Sequence, residues 1–315
     1  MTTTPKARWT VADFPRVEGK TALVTGGASG IGFQIARALA SRGARVIVLG
    51  RDTARGASAV AELRGAAGRA EVTFQQVDLG SLASINAFGE NWRARGEPVH
   101  FLMNVAGVMA IPQRRTTTDG FEMHMGTNFL GHFALTGLLL PALHAGNARV
   151  VTVSAAVGRW TMARLDPADL QAEQQRYTPM GAYARSKLAE IMFAAELQRR
   201  AASTGISSVA VDPGTAVTNL QRHVKGAAGS ISRALATMIG YPIERVAENA
   251  LYAAIMPNPT DTTLIGPSHF IQRCASPKDV GIPPLAREAG VRDALWRRAE
   301  AVTGVTFGLT GGGQA

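Results

Sequence analysis

Short apolar runs alternate with longer stretches of helical periodicity along most of this chain. From Lys20 onward, six apolar runs predict strands: KTALVTG, ARVIVLGR, EVTFQQVD, VHFLMNVAG, ARVVTVSA and ISSVAVDPG. Between them, segments such as GFQIARALASRG and AYARSKLAEIMFAAELQRRAA repeat apolar residues at helical spacing. Strands that alternate with helices favour parallel β-α-β units. The pattern therefore predicts an α/β fold, with a doubly wound parallel sheet and helices on both of its faces.

No internal repeat or interdomain linker interrupts this rhythm, so we expect a single domain spanning residues 1–315. Within it we expect an amino-terminal extension (1–19), a cofactor and catalytic core (20–220) and a substrate-side and carboxyl-terminal region (221–315). Two stretches depart from the pattern, one from Gly158 to Gly181 and one beginning at His223. Both follow predicted strands, and loops at the carboxyl ends of parallel strands commonly hold ligands. We expect them on the substrate side.

Composition narrows the class of protein. The chain has a net charge of +10, but its arginines are spread along the predicted helices without a basic block, which argues against nucleic-acid binding. A single cysteine excludes an intramolecular disulfide and fits a reducing compartment. The first residues lack the apolar core of a signal peptide, and no run approaches the ~20 apolar residues of a membrane span. We expect a cytoplasmic protein without a metal site.

A glycine-rich segment, TGGASGIG, runs from Thr25 to Gly32 directly after the first strand and opens a helix. This context is typical of a loop that binds a dinucleotide pyrophosphate at a helix amino terminus. Gly26 permits the tight turn, Gly30 allows close approach of the backbone to phosphate, and Gly32 allows helix and strand to pack closely. We expect Ser29 and Ile31 to line the same site.

Tyr183 and Lys187 lie four residues apart in a predicted helix, and residues at that spacing share one helical face. A phenol with an ordinary pKa near 10 is a poor acid or base at neutral pH. A neighbouring ammonium stabilises the phenolate, so we expect Lys187 to lower the pKa of Tyr183 toward working pH. This pattern favours proton transfer by Tyr183.

The glycine spacing G-x-x-x-G-x-G and the Y-x-x-x-K pattern resemble those of the short-chain dehydrogenase/reductase superfamily, over Lys20 to about Thr218. The resemblance implies a Rossmann fold and a nicotinamide cofactor, with Asn128 anchoring a water in the proton relay and Lys187 also binding the nicotinamide ribose. It implies further cofactor contacts from Asp78 and Leu79 (adenine), Asn104, Ala106 and Gly107 (the N-x-A-G turn), and Pro213, Gly214 and Thr218 (the P-G motif).

The segments NFLGHF and SKLAEIMFAAEL are similar to the retinol-dehydrogenase-like and protochlorophyllide-reductase-like branch of that superfamily. This similarity implies a small-molecule carbonyl or alcohol as substrate and does not identify it. A homo-oligomer is compatible with the resemblance.

The residue after the second strand bears on the choice of dinucleotide. An acidic residue closing that strand selects NAD(H), whereas an arginine in the first loop position pairs with the 2′-phosphate of NADP(H). Arg51 occupies that loop position and Asp52 follows it. We therefore expect NADP(H) in preference to NAD(H).

One position departs from the family pattern. The catalytic serine is usually the second of two serines that end the fifth strand, but this chain reads VSAA from Val153, which puts Ala155 in that place. Ser154 should point to the opposite face, because side chains alternate along a strand. An engineered knockout, a natural loss, or a one-residue shift that delivers Ser154 would each explain the pattern. The main hypothesis is an NADP(H)-dependent oxidoreductase, and the alternative is a dinucleotide-binding protein with impaired or non-redox chemistry.

Overall fold

The computed structural model describes residues 8–159, 165–174, 176–214, 245–269 and 275–309. In these residues one sheet has eight strands in the order β3-β2-β1-β4-β5-β6-β7-β8. All neighbouring pairs are parallel except β7 with β8. The strands are β1 (Thr21–Thr25), β2 (Arg45–Gly50), β3 (Val72–Gln76), β4 (Phe101–Asn104), β5 (Arg149–Val153), β6 (Ser207–Val211), β7 (Leu264–Pro267) and β8 (Pro277–Asp279).

The first six strands coincide with the six apolar runs, whereas β7 and β8 were not predicted. The α-helices of the described residues are α1 (Gly30–Ser41), α2 (Thr53–Ala66), α3 (Leu82–Arg95), α4 (Gly131–Leu138), α5 (Leu140–Ala145), α6 (Pro179–Arg200), α7 (Glu248–Ile255), α8 (Pro284–Arg287) and α9 (Ala289–Thr303). A π-helical turn over Met125–Leu130 leads into α4. Of the two irregular stretches, Gly158–Gly181 contains a short 3-10 turn at Pro167–Asp169, and residues 223–242 lie outside the described ranges.

Strand alternation divides the core into two layers. In β2, Ile47 and Leu49 pack with α3, α4, α6 and α9 on one face of the sheet, while Val46 and Val48 pack with α1, α2 and α7 on the other. All four side chains are buried. This is the expected result for a parallel sheet covered on both faces, whose strands read as continuous apolar runs. The α/β fold with helices on both faces of a mostly parallel sheet is confirmed.

Strand β1 sits at the point where the connections change direction, hydrogen-bonded to β2 on one side and to β4 on the other. In sheets of this kind, a crevice opens beyond the carboxyl ends of the strands at that point. The loops after β1 and β4 therefore face one another, and the glycine-rich segment is one of them.

Candidate active site

A cleft of about 240 Å³ lies at the carboxyl ends of the first four strands. Four loops contribute to it, one after each of β1, β2, β3 and β4. Its walls include most of the residues that the sequence predicts for the cofactor: Gly26, Ser29, Gly30, Ile31, Gly32, Arg51, Asp78, Leu79, Ala106 and Gly107.

The glycines of the first loop are required by close approaches between backbone segments. Gly26 has φ +66°, and a Cβ built on it would lie 3.0 Å from the Cα of Ala106 in the loop after β4. A Cβ on Gly32 would lie 2.5 Å from the carbonyl oxygen of Gly26, closer than real Cβ contacts allow. The first turn of α1 is therefore pressed against the loop, as its spacing predicts.

The amino terminus of α1 is open toward the cleft. Ser29 is the N-cap residue, but its side chain makes no capping hydrogen bond, and Ile31 and Gly32 in the first turn line the cleft wall. Backbone N–H groups in a first helical turn have no intrahelical acceptor and favour an anion. The open helix end and the narrow glycine loop fit a dinucleotide pyrophosphate.

Thr25 joins the loops after β1 and β4, a role that sequence reasoning missed. Its hydroxyl accepts hydrogen bonds from the backbone N–H groups of Val105 (2.8 Å) and Ala106 (3.0 Å) and lies 2.9 Å from Nε2 of His132. Burial lowers the pKa of His132 to about 4, so the imidazole is neutral. Because its Nδ1 lies 2.7 Å from the carbonyl oxygen of Asn128, we assign the ring proton to Nδ1. The unprotonated Nε2 then accepts a hydrogen bond from the hydroxyl of Thr25.

The end of the cleft formed by the loop after β2 contains two arginines, of which the sequence indicated only Arg51. Arg55, in the first turn of α2, lines the same wall. Asp52 is the N-cap of α2 and accepts a hydrogen bond from the N–H of Arg55 (3.0 Å), and it does not line the cleft. The acidic side chain is thus used to begin a helix, while the two cations border the cleft. Across the cleft, Asp78 accepts from the N–H of Gly80 (2.9 Å), which shapes the turn after β3.

Tyr183 and Lys187 are both buried on α6, which begins at the Thr178 N-cap and Pro179. The ammonium of Lys187 lies 5.7 Å from the centre of the Tyr183 ring and donates to the carbonyl oxygen of Val153 (3.0 Å). It also lies 3.7 Å from where a Cβ on Gly107 would stand. Lys187 therefore lies beside the loop after β4, whereas neither member of the pair lines the cleft itself.

The expected lowering of the pKa of Tyr183 is wrong for the protein without a dinucleotide. Burial, together with the negative charges of Glu190 and Asp212, raises the pKa of this phenol. Lys187 does not offset these effects, because its ammonium pairs with the carboxyl group of Glu190, at 3.0 Å to Oε1 and 2.9 Å to Oε2. Sequence reasoning missed Glu190, although its position one turn after Lys187 was visible.

Asn128 lies in the π-helical turn and holds three segments together. Its side-chain amide accepts from the N–H of Val108 (2.8 Å) and donates to the carbonyl oxygen of Val108 (3.0 Å) and to Oγ of Ser186 (2.9 Å). Both of its N–H donors are therefore used between the loop after β4 and α6. These contacts give Asn128 a positioning function, and its role as a water anchor stays a prediction.

Ser154 points away from the cleft, as strand alternation predicts. Its buried hydroxyl donates to the carbonyl oxygen of Lys187 (2.6 Å), which ties the end of β5 to α6. Gly158 allows the same close approach, since a Cβ there would lie 2.9 Å from the carbonyl carbon of Lys187. The hydroxyl of Ser154 is thus committed to the backbone of α6. Ala155 is partly exposed and packs against the apolar cluster that contains Tyr183.

Comparisons with known proteins identify the relationship. A family model described as short chain dehydrogenase matches residues 20–166. Polyprenol dehydrogenase of Mus musculus is 39% identical over 305 residues, which cover 95% of this chain and 88% of that protein. The chain belongs to the short-chain dehydrogenase/reductase family. Because the similar proteins are named dehydrogenases, the chain is assigned to the oxidoreductases of this family.

The names of the relatives agree with the resemblance to the retinol-dehydrogenase-like branch of the family. Retinol dehydrogenase 12 of Homo sapiens is 43% identical over 209 residues, 66% of this chain and 65% of that protein. A crystal structure of an uncharacterized protein from Mycobacterium paratuberculosis is 36% identical, with a TM-score of 0.78 over 96% of this chain and all of the other. An actinorhodin polyketide ketoreductase solved with NADPH is 26% identical, with a TM-score of 0.59 over 81% and 97% of the two chains.

Some predicted cofactor residues of this short-chain dehydrogenase lie apart from the cleft wall. Asn104 is fully buried and donates to Oγ1 of Thr136 on α4 (3.2 Å), so its side chain supports the sheet rather than the cleft. Pro213 and Gly214 follow β6, where the N–H of Gly214 donates to Asp212 (3.0 Å). Thr218 lies outside the described residues.

The described residues lack two features. No group of three or more histidine, cysteine or acidic side chains suited to a metal ion occurs there. No helix within those ranges has both the length and the apolar character that a bilayer span requires.

Proposed function

We propose that this protein is an NADP(H)-dependent oxidoreductase that transfers a hydride between nicotinamide and a carbonyl or secondary alcohol, with Tyr183 as general acid and base. The observation that carries the proposal is the buried Tyr183–Lys187 pair, whose lysine lies beside Gly107 in the wall of a cleft with a glycine-loop phosphate site. The loop after β4, held by Thr25 and Asn128, connects the phosphate site to the pair.

The roles of the side chains follow from their contacts. In carbonyl reduction, a dinucleotide held by the glycine loop and Lys187 would supply the hydride for the carbonyl carbon and would leave in its oxidised form. As the carbon–oxygen double bond becomes a single bond, the oxygen takes a proton from the phenol of Tyr183. Val153 and Glu190 use two of the three ammonium donors of Lys187, and the third is available to the nicotinamide ribose.

A direct test is oxidation of NADPH, followed by absorbance, against a panel of aldehydes and ketones that includes retinal and a polyprenal. These two are included because the relatives are named retinol and polyprenol dehydrogenases. Product alcohol formed in a one-to-one ratio with NADP⁺ supports the proposal. A folded protein that binds NADPH yet reduces none of the panel contradicts it.

The preference for NADP(H) is proposed from Arg51 and Arg55, which border the cleft, and from Asp52, which is occupied as a helix cap. Arg51→Ala should weaken NADPH binding by about 1–3 kcal/mol through loss of a charge-assisted hydrogen bond, with little change for NADH. Arg55→Ala should add to this loss. Equal titration curves of the unsubstituted protein with the two dinucleotides would contradict the preference.

A second candidate function is dinucleotide binding with impaired or non-redox chemistry, and Ala155 favours it. Its test is Ala155→Ser, because the commitment of Ser154 to Lys187 leaves no other serine at the end of β5. Restoring a donor to the developing alkoxide should raise the rate of hydride transfer by up to ~10²–10³-fold, with a smaller effect on binding. An unchanged rate would show that the hydroxyl is not what limits this enzyme.

The cytoplasmic location and the homo-oligomer stay predictions. Cell fractionation tests the location, and light scattering of the purified protein tests the oligomer.

A further inference from the structure

Glu190 is a buried carboxyl group in direct contact with the proposed catalytic lysine. Its side chain is 1% exposed and that of Lys187 is 5% exposed. Oε1 accepts a hydrogen bond from the ammonium, whereas Oε2 lies 2.9 Å from the same nitrogen without hydrogen-bond geometry to any described partner. Burying a carboxylate costs desolvation free energy unless the carboxylate is paired with a neighbouring cation.

The charges around Tyr183 come from three directions. On its own helix, Lys187 is paired with Glu190. From the end of β6, Asp212 adds a second negative charge, itself partly offset by Arg159 after β5. From the segment before the π-helical turn, the ring of His124 lies 6.2 Å from the phenol ring, with its Nδ1 2.8 Å from Glu122. The neutral His132 is close enough to Lys187 for the ammonium to lower its pKa further.

The order in which the groups lose protons sets the effect of Glu190. Burial raises the pKa of Glu190 to about 8, which is still below the raised pKa of Tyr183. Glu190 is therefore ionised in the pH range where the phenol would ionise. A carboxylate at that place cancels much of the ammonium's stabilisation of phenolate.

We propose that Glu190 is a positioning residue that holds the ammonium of Lys187 and, when ionised, offsets its charge, so that Tyr183 remains a proton donor and the enzyme favours carbonyl reduction over alcohol oxidation even at alkaline pH. The part of this inference that concerns the direction of reaction rests on the proposed function. The contact between Glu190 and Lys187, and its effect on Tyr183, can be measured without turnover.

The test places 3,5-difluorotyrosine at position 183, where its more acidic phenol brings ionisation into an accessible pH range, and follows it by fluorine NMR. The full-length protein is compared with Glu190→Gln, a neutral isostere, and with Glu190→Leu, which also removes the acceptor. Glu62→Gln, an exposed change on α2, is the control. Both Glu190 variants should move the phenol transition to lower pH by about one unit or more.

Kinetics supply the second readout. In Glu190→Gln with native Tyr183, the acidic limb of alcohol oxidation should shift to lower pH, and the ratio of reduction to oxidation above pH 8 should fall. Glu190→Leu should in addition raise the KM for the dinucleotide, because Lys187 loses a positioning contact. Coincident fluorine transitions in all variants would overturn the inference. A shifted transition in a protein inactive on every carbonyl would support the pair and contradict the proposed function instead.

Discussion

Helix α6 carries two buried glutamates with opposite electrostatic outcomes. Glu190, one turn after Lys187, has that residue as its one cationic partner among the described residues, and burial raises its pKa to about 8. Glu196, farther along the helix, is equally buried, yet its pKa is lowered from the ordinary value. Its carboxylate contacts three arginines: Arg199, Arg200 and Arg292.

The difference shows that partners, rather than burial alone, decide whether a carboxylate stabilises the folded chain. Desolvation opposes ionisation in both places, and the arginines around Glu196 outweigh it. Arg292 lies on α9 and also pairs with Asp261, so Glu196 joins α6 to the carboxyl-terminal region. Within the described ranges, Glu190 by contrast pairs only with Lys187 on its own helix. The early part of α6 would thus serve the proposed chemistry, and the later part stabilises the fold.

The largest effect that separates the two parts should come from Tyr183→Phe. Loss of the only proposed proton donor should lower turnover by about 10²–10⁴-fold, while dinucleotide affinity and the free energy of unfolding change little. Steady-state kinetics, dinucleotide titration and denaturant unfolding check the three quantities. Retention of most activity would mean that another group transfers the proton.

The second-largest effect should come from Glu196→Ala, which should lower the free energy of unfolding without lowering turnover. Removing the carboxylate takes a shared partner from Arg199, Arg200 and Arg292, and Arg292 keeps only Asp261 as an acidic partner among the described residues, so we expect a cost of about 1–3 kcal/mol. Urea unfolding should show this decrease, and turnover per folded molecule should be retained. Glu62→Ala, on the exposed face of α2, is the matched control. If Glu196→Ala were as stable as this control, the arginine cluster would not hold α9 to α6.

The smallest effects concern how stability depends on pH, and they have opposite signs at the two sites. A raised folded pKa means that the stability associated with Glu190 is present below about pH 4.5 and is lost as pH rises toward 8. A lowered folded pKa means that the contribution of Glu196 is present above about pH 4.5 and is lost as pH falls further.

Unfolding free energies measured from pH 4 to 8 check these signs. Glu190→Gln should gain stability relative to the unsubstituted protein as pH rises through this range. The deficit of Glu196→Gln should shrink at the acid end. If the unfolding free energies of all three proteins changed in parallel with pH, the proposed electrostatic difference between Glu190 and Glu196 would be contradicted.

Local sequence information determined six of the described strands, the phosphate loop and the inward direction of Ser154. Each depends on spacing along a short segment: apolar runs, the glycines from Gly26 to Gly32, and the two-residue period of a strand. Tyr183 and Lys187 were found for the same reason, since four residues bring side chains to one helical face.

Tertiary structure decided the features that depend on distant partners or on burial. Strands β7 and β8 are short and carry little pattern of their own, and β8 pairs only with β7. Thr25 at the end of β1 contacts His132 on α4. Asp52 caps α2, and Arg51 and Arg55 line the cleft. The sequence places Glu190 one turn from Lys187, but only burial, with Asp212 nearby, makes the pKa of Tyr183 rise rather than fall. Spacing determines which groups can meet, and the packed surroundings determine the charge they carry when they do.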